Sequence, residues 1–559
     1  MPYIGNIVQD FSVSTAMLNT DSVTSIKVLD GTIVNADIND SAAIAKTKLA
    51  ALEIVNADVN ASAAIAGSKI SPTFTTDGSF NSINIGKGTN SVAGNTVLGE
   101  GALNAGVTGG ENTAIGKDAL TALTSGQSNT VVGASCGDAI TTGSDNTAVG
   151  VSAFGTNTTG ANNTAIGRAS LFTNNGNNNT AVGYHSLRLN TTGGSGTAVG
   201  YQALNNNTTG EENVAVGRAA LGANTTGAFN VGVGKGALAA NTTANNNTAV
   251  GRLSLQANTT GASNVAVGSG ALSSNTTASS NTAVGQNALQ SNSTGTLNTA
   301  VGKGALATNN TADNNTAVGV NALLVNTTGT QNVAVGSLAL DANTTANNNT
   351  AVGFQSLSLN STGTQNTAVG STSLDANTTG NRNSAFGADS MTNNTTGSNN
   401  TGLGRDALFH NSTGSNNTAL GTDALQANTT ANDNTAIGHD CLDANTTGTF
   451  NTAIGASALT SNTQGSRNVA IGQGCLSSST TASDNTAIGR DCMFQNTTGA
   501  NNVAVGESAL ENNTTANDNT AVGFESLKAN TTGTFNTSVG KLALLLNTTG
   551  DRNVAVGAQ

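Results

Sequence analysis

The chain has 559 residues, a net charge of −12 and only 9% charged residues. Soluble domains usually carry roughly 25% charged residues, and 3% aromatic residues with no tryptophan cannot fill large cores. This composition disfavours a multidomain enzyme, and the acidic balance disfavours a nucleic acid or an anionic membrane as partner.

The amino terminus, MPYIGNIVQDFSVSTAMLNTDS, lacks a basic segment followed by an apolar stretch. The chain also contains no run of about eighteen apolar residues. We therefore expect it neither to be exported by a signal peptide nor to be anchored in a membrane by its own sequence.

Residues 1–94 form a region with its own duplication. The stretch IVNADINDSAAIAKTKLA at 33–50 recurs as IVNADVNASAAIAGSKIS at 54–71, an offset of 21 residues. Its Ile/Ala alternation does not distinguish a short helix from a strand. The sequence predicts a separate module here, which either attaches the chain to a partner or caps the region that follows.

From residue 95 onward a single unit recurs: NTAVG, two variable residues, AL, two variable residues, then NTTG or NTTA with two or three polar residues. We number the positions of each unit as columns, with the last glycine of NTAVG, the anchor glycine, as column 0. There are 28 anchor glycines, from Gly99 to Gly557, and they are spaced 17 residues apart except for one step of 16. They define about 27 repeats over residues 95–559. The anchors around the short step are Gly150, Gly167, Gly183 and Gly200.

A period of 17 predicts a β-solenoid, in which each repeat winds one coil. Helical-pair repeats need about 33 to 47 residues and propeller blades about 40 or more. Threonine or valine at column −3 favours a strand around NTAVG, and we expect a second short strand around the Ala-Leu pair. Tight turns are expected at the anchor glycine and at NTTG. The predicted fold class is therefore all-β, a repetitive parallel β-solenoid (β-roll) of 17-residue coils, roughly 130 Å long at about 4.8 Å per coil.

Two apolar columns are predicted to fill the coil interior: column −1, nearly always Val or Ile, and column +4, nearly always Leu. Successive residues of a strand point to opposite faces, so the alanines of column −2 are then expected on the outside. Such a small, uniform apolar face favours packing against a second copy of the solenoid. The predicted core residues are Val149, Ile166, Val182, Val199, Leu171, Leu187, Leu204 and Leu221, and the predicted outer alanines include Ala148, Ala165, Ala181 and Ala198.

Asparagine recurs at columns −4 and +7, so stacking would place the same amide above itself in every coil. Amides stacked in this way can hydrogen-bond from coil to coil, as asparagine ladders do in cross-β assemblies. We predict a structural role for these residues rather than a ligand site. The predicted ladder residues are Asn146, Asn163 and Asn179 at column −4, and Asn157, Asn190 and Asn207 at column +7.

The unit NTAVG-x-x-AL-x-x-NTTG resembles the head repeats of trimeric autotransporter adhesins, and more closely the repeat arrays of bacteriophage tail-fibre proteins. The resemblance implies a left-handed parallel β-roll assembled as a homotrimer. The adhesin repeat is shorter, and the additional residues here fall in the NTTG turn. The IVNADI-x-x-SAAIA pattern resembles amino-terminal regions of phage virion proteins, which implies that residues 1–94 attach to the particle.

The remaining chemistry-bearing residues predict no catalytic centre, cofactor site or metal site. The four cysteines all fall at column +3, where other repeats carry Ala or Ser, which is typical of packing. The three histidines fall in unrelated columns and form no triad, and turn aspartates such as Asp145 and Asp313 are expected to be solvated. The cysteines are Cys136, Cys441, Cys475 and Cys492, and the histidines are His185, His410 and His439.

These observations lead us to expect a non-enzymatic structural fibre of a phage virion, anchored through tail or capsid proteins and extending towards a host-surface glycan or protein. Such a protein would assemble in the host cytoplasm and become extracellular after lysis. The sequence stops at VAVGAQ, and we expect a processed or truncated form, since similar fibre proteins carry a self-cleaving carboxyl-terminal chaperone. The alternatives are a bacterial trimeric surface adhesin and an ice- or mineral-binding array that uses the regular threonines.

Overall fold

The computed structural model describes residues 78–558. The chain divides into two units, Met1–Phe74 and Thr75–Gln559. The first unit, which contains the duplication at 33–71, lies outside the described residues, and so does most of the predicted module 1–94. Within residues 78–558 no helix is long and apolar enough to cross a membrane.

The described residues form β-strands and no helix, and almost every strand is the three-residue segment that precedes an anchor glycine. The strands are β1 Gly78–Phe80, β2 Ile83–Gly86, β3 Thr96–Gly99, β4 Thr113–Ile115, β5 Thr130–Val132, β6 Thr147–Val149, β7 Thr164–Ile166, β8 Thr180–Val182, β9 Thr197–Val199, β10 Val214–Val216, β11 Val231–Val233, β12 Thr248–Val250, β13 Val265–Val267, β14 Thr282–Val284, β15 Thr299–Val301, β16 Thr316–Val318, β17 Val333–Val335, β18 Thr350–Val352, β19 Thr367–Val369, β20 Ser384–Phe386, β21 Thr401–Leu403, β22 Thr418–Leu420, β23 Thr435–Ile437, β24 Thr452–Ile454, β25 Val469–Ile471, β26 Thr486–Ile488, β27 Val503–Val505, β28 Thr520–Val522, β29 Thr537–Val539 and β30 Val554–Val556.

From β3 onward the strands stack as one parallel ladder in which each coil pairs with the next. Strand β1 is antiparallel to β2, and β2 is antiparallel to β3. From β3 to β30 every strand is parallel to its successor and in register, so that Ala283 pairs with Ala300. Even the 16-residue step keeps this register, because Thr164 of β7 pairs with Thr180 of β8. The predicted all-β parallel solenoid with 17-residue spacing is confirmed.

The second strand predicted around the Ala-Leu pair does not form. In a representative coil, Gln202 and Leu204 have φ values of 56° and 50°, in the left-handed region that interrupts an extended strand. The resulting curl turns both Ala203 and Leu204 inward, where each is fully buried; in a strand these neighbours would point to opposite faces. Backbone bonding between coils continues here without a strand, since the Leu204 N–H donates to the Ala220 carbonyl at 3.0 Å.

The predicted orientation of the strand is wrong: alanine lies inside the coil and valine lies outside. The column −2 residues Ala148 and Ala165 are fully buried, whereas their neighbours Val149 and Ile166 are 37% and 40% exposed. Strand periodicity shows that the two columns face opposite ways but not which face is internal. The narrow coil decides, because leucine of column +4 and two asparagines already fill it and leave room for a methyl group. Four residues predicted for the core therefore lie on the outer face, and one of these, Val182, is half-buried: Val149, Ile166, Val182 and Val199. The four leucines predicted for the core are buried: Leu171, Leu187, Leu204 and Leu221.

The anchor glycine is required by both backbone angle and space. Gly200 has a φ of 134°, which residues with a side chain rarely adopt. A Cβ atom at this position would lie 2.7 Å from the carbonyl oxygen of Gly217 in the next coil. The same geometry recurs along the solenoid, with φ values of 136°, 129° and 136° at Gly150, Gly167 and Gly183.

Candidate functional site

The outer strand face is an uncharged, partly apolar surface that runs along the solenoid. It consists of columns −3 and −1 of strands β3–β30. Column −3 carries only Thr, Val or Ser, and column −1 carries only Val, Ile, Leu or Phe. Val149 and Val284 are each 37% exposed, because the valines of the coils above and below cover the remainder. Val556, in the last coil, is 77% exposed. The face therefore has no charge to keep it hydrated along its whole length.

The area of this face exceeds what an isolated soluble protein normally leaves uncovered. Three residues at about 3.3 Å span roughly 10 Å, and 28 coils at about 4.8 Å span roughly 130 Å, which gives about 1,300 Å². Column −1, which is wholly apolar, makes up about half of this area, roughly 650 Å², and the largest apolar patch on a typical monomer is about 300–600 Å². A standard protein interface removes about 800 Å² from each partner. The strand face is thus large enough to be an interface by itself.

Two asparagine ladders stiffen the solenoid from inside. At column +7, Asn207 Nδ2 donates to Asn190 Oδ1 of the preceding coil at 2.8 Å and to the Gly210 carbonyl of its own turn at 2.9 Å. At column −4, Asn146 Oδ1 accepts the backbone N–H of Asn163 at 3.0 Å. In most coils the buried amides of both columns thus link a coil to its neighbours and help to hold the turns in register.

All six predicted ladder residues are buried, but one of them is incompletely paired. They are Asn146, Asn163, Asn179, Asn157, Asn190 and Asn207. Asn157, directly before the 16-residue step, leaves its Nδ2 without a partner. The ladder that begins beside it at Asn174 continues through the bond from Asn190 Nδ2 to Asn174 Oδ1.

The +7 ladder breaks once, at Ser479. In the described coils it continues from Asn174 to Asn462, where Asn462 Nδ2 donates to Asn445 Oδ1 at 2.8 Å. Serine is too short to reach either neighbour, so Asn462 Oδ1 and Ser479 Oγ are both buried without a hydrogen-bond partner. In the next coil, Asn496 Nδ2 donates to the Gly499 carbonyl but not across the break, while Asn496 Oδ1 still accepts from Asn513 Nδ2. Sequence reasoning missed this defect, although the single Ser in a column of Asn marks it.

The four cysteines are buried, unpaired thiols. Burial raises the pKa of Cys136 and of Cys441 to about 12. The pKa of Cys475 is also raised, first by its hydrogen bond with Cys492 of the next coil and then by burial. Thiols that remain protonated are poor nucleophiles and poor metal ligands, so this arrangement supports packing.

The structure does not bring the three histidines together. His185 stacks on Tyr184 at 3.7 Å and His410 meets Phe409 edge-on at 4.7 Å. His439 Nδ1 lies 2.9 Å from Asp440 Oδ2.

Asp423, His439 and Asp440 are the described residues with atoms close enough to share a cation, all within 4.8 Å of one another. Burial raises the pKa of the nearby Asp443, and the charges of Asp440 and Asp423 raise it further. The His439 side chain is 62% exposed, so this cluster lies open to solvent on the side of the solenoid.

The fold defines the class of this molecule: a parallel β-solenoid repeat protein with an all-β described region. No family model matches the chain, and none of the curated proteins matches it.

Proposed function

We propose that this chain is a non-enzymatic structural fibre of a phage virion, a tail fibre or similar appendage. In this proposal residues 1–94 attach the fibre to tail or capsid proteins, and the solenoid extends towards the host surface. The observation that carries the proposal is the uncharged outer strand face of about 1,300 Å², which requires a covering in water. The resemblance of the repeats to phage fibres and adhesin heads supplies the number of copies, three.

The energetics of association support this covering. Burying the apolar half of the strand face on two copies, about 650 Å² each, corresponds to about 30 kcal/mol at about 25 cal/mol per Å². Association costs an estimated 4–15 kcal/mol in lost translational and rotational freedom. Copies joined along their strand faces would therefore be stable, and the face would be hidden from water along the length of the fibre.

The internal ladders support a mechanical role. A fibre must transmit force without changing its coil spacing, and each coil here is tied to the next by strand pairing and by buried asparagine amides. Stability in such an array is a sum of coil and neighbour terms. Repeating one well-bonded coil is thus a direct way to obtain length with stiffness.

The first experiment measures the oligomeric state of the purified full chain by sedimentation equilibrium. We expect the wild type to form trimers. In the double variant Val284→Asp, Val301→Asp, carboxylates of different copies would meet in the interface. The variant trimer should therefore dissociate at protein concentrations at least tenfold higher than the wild-type trimer does. Val151→Asp with Val320→Asp is the matched control, since these valines are 51% and 48% exposed but lie at column +1. A monomeric wild type, or equal effects of both pairs, would refute assembly through the strand face.

A second experiment tests the location. Mass spectrometry and negative-stain imaging of purified virions should detect the chain and a thin rod. The alternative, a bacterial trimeric surface adhesin, predicts the chain on intact cells of a strain that releases no particles. Detection only on such cells would replace the virion assignment with the adhesin.

A further inference from the structure

A basic and aromatic stripe runs along one part of this acidic solenoid. Between residues 168 and 252 the sequence holds five basic residues and two acidic ones, whereas the whole chain has a net charge of −12. The two acidic residues, Glu211 and Glu212, belong to the turn after NTTG. None of the ion pairs within residues 78–558 involves these five basic residues. The stripe at column +1 of six successive coils consists of Arg168, Tyr184, Tyr201, Arg218, Lys235 and Arg252.

The aromatic side chains of the stripe form a closed stack. The rings of Tyr184 and Tyr201 lie 5.3 Å apart and are inclined by only 9°. His185 covers the Tyr184 ring at 3.7 Å, and the Arg218 guanidinium lies 5.8 Å from the centre of the Tyr201 ring. Burial, then the charges of Arg188 and Arg168, hold the pKa of His185 below its ordinary value. With the ring faces occupied, the stripe offers ring edges, hydroxyls and cationic groups to a ligand.

A shallow groove adjoins the stripe in the same coils. Its volume is about 290 Å³, and it exists because columns +2, +5 and +6 carry only small residues in two successive coils. The small residues are Ala219, Gly222, Ala223 and Ala239, and the amides of Gln202, Asn205 and Asn206 line the remainder.

One atom of this groove lacks the hydrogen bond that its burial demands. Asn205 Oδ1 is buried with no partner, although Asn205 Nδ2 donates to Asn206 Oδ1 at 2.7 Å. A buried acceptor without a donor is unfavourable, and a hydroxyl that enters the groove would relieve it. Arg188 occupies column +5 one coil before Asn205, so a basic residue shares the column of this acceptor in the adjacent coil.

We propose that this groove and stripe bind an acidic polysaccharide. Sugar hydroxyls would bond to the amides of Gln202 and Asn205, and the carboxylates would pair with Arg218 and Lys235 in charge-assisted hydrogen bonds. Successive cations at about 4.8 Å spacing present a linear array, which suits a linear polyanion. Single-stranded nucleic acid fits less well, because its bases need free aromatic faces for stacking and here those faces are covered.

This inference deepens the proposed function and rests on it for its biological setting, since it specifies the surface that a fibre would contact. The binding chemistry itself uses columns +1, +2, +5 and +6, and not columns −3 and −1 of the strand face. Binding and self-association can therefore succeed or fail separately.

The test titrates the purified full chain with a polygalacturonate oligomer, with dextran as the neutral polymer and oligo-dT as the competing polyanion. We expect saturable binding of polygalacturonate that weakens as salt rises, no binding of dextran and weaker binding of oligo-dT. Absence of polygalacturonate binding, or tighter binding of oligo-dT, would overturn the proposal.

Two variant pairs locate the site. Arg218→Ala with Lys235→Ala should weaken binding at least fivefold, while Lys303→Ala, in the same column five coils from Arg218, should not change it. Ala223→Leu should fill the groove and weaken binding by a similar factor. Its control is Ala376→Leu, a change at the same column outside the groove; leucine already occupies this column at Leu359, so folding tolerates it.

Equal effects of variants and controls would show non-specific charge binding and refute the site. The oligomeric state is measured on the same samples. Loss of glycan binding with intact oligomers counts against the glycan site alone, and glycan binding by a monomeric wild type counts against the fibre assembly alone.

Discussion

Substituting Ser479 by asparagine should repair the break in the +7 ladder. In unbroken coils, each ladder residue donates to the coil before it and accepts from the coil after it, as Asn207 does with Asn190 and Asn224. The introduced amide would donate to Asn462 Oδ1, would accept from Asn496 Nδ2, and would donate to the Ala482 carbonyl of its own turn. The substitution therefore adds three hydrogen bonds and gives Asn462 Oδ1 the donor that it lacks.

The size of the gain follows from these bonds. The three added hydrogen bonds contribute about 1 kcal/mol each, net of the water bonds that they replace. The longer side chain loses up to about 1 kcal/mol of rotamer entropy. We expect a local gain of about 2 kcal/mol, which corresponds to a factor of about 30 in the local opening equilibrium.

Hydrogen exchange followed by mass spectrometry is the appropriate assay, because a long repeat array opens locally rather than in one cooperative transition. Amides in the coils around residues 462–496 should exchange about 30 times more slowly in Ser479→Asn than in wild type. The control Ser478→Asn, at the neighbouring half-buried column +6 position, should leave exchange unchanged. Asn428→Ser should create the same break in an intact stretch and accelerate exchange there by a similar factor. Unchanged exchange in Ser479→Asn, or acceleration, would refute the view that amide bonding between coils stabilises the solenoid.

Three further outcomes are expected. Ala283→Leu should destabilise its coil by about 1–3 kcal/mol through overpacking, whereas Val284→Leu should change stability by less than about 0.5 kcal/mol. If denaturation shows Val284→Leu to be the more destabilising change, the conclusion that alanine faces the coil interior is wrong. Cys441, with a pKa raised to about 12, should resist maleimide at pH 8 in the folded chain and react on unfolding, and rapid labelling of folded protein would show that it is accessible. Asp443→Asn should raise thermal stability at pH 7. Burial raises the pKa of Asp443 in the folded state, so the wild-type protein loses stability as the pH rises from 3.8, the ordinary pKa of the carboxyl, through the raised pKa. The gain should disappear below pH 3.8, and a gain that persists there would rule out this origin.

The spacing of the sequence determined the number of coils, their parallel register and the vertical stacking of equal columns. This was possible because a period of 17 with a fixed glycine fits few architectures other than a solenoid, and because each column repeats about 28 times. The burial of Leu171 and Asn207 and the surface position of column +1 follow from the same repetition. The position of the break in the +7 ladder can also be read from the sequence, because Ser479 replaces asparagine in this column.

The tertiary structure alone decided which face of the strand is internal and what the Ala-Leu segment becomes. Alternation assigns Ala283 and Val284 to opposite faces but does not say which face is internal. The width of the closed coil, set by leucine and asparagine across from the strand, favours alanine inside. Buried valines occur at this column only at Val97 and Val131, before the column +7 asparagines begin. The left-handed angles at Gln202 and Leu204 depend likewise on bonds to neighbouring coils. The groove beside Tyr201 also arises from tertiary stacking, because small residues from separate repeats form a cavity only once the coils lie on one another.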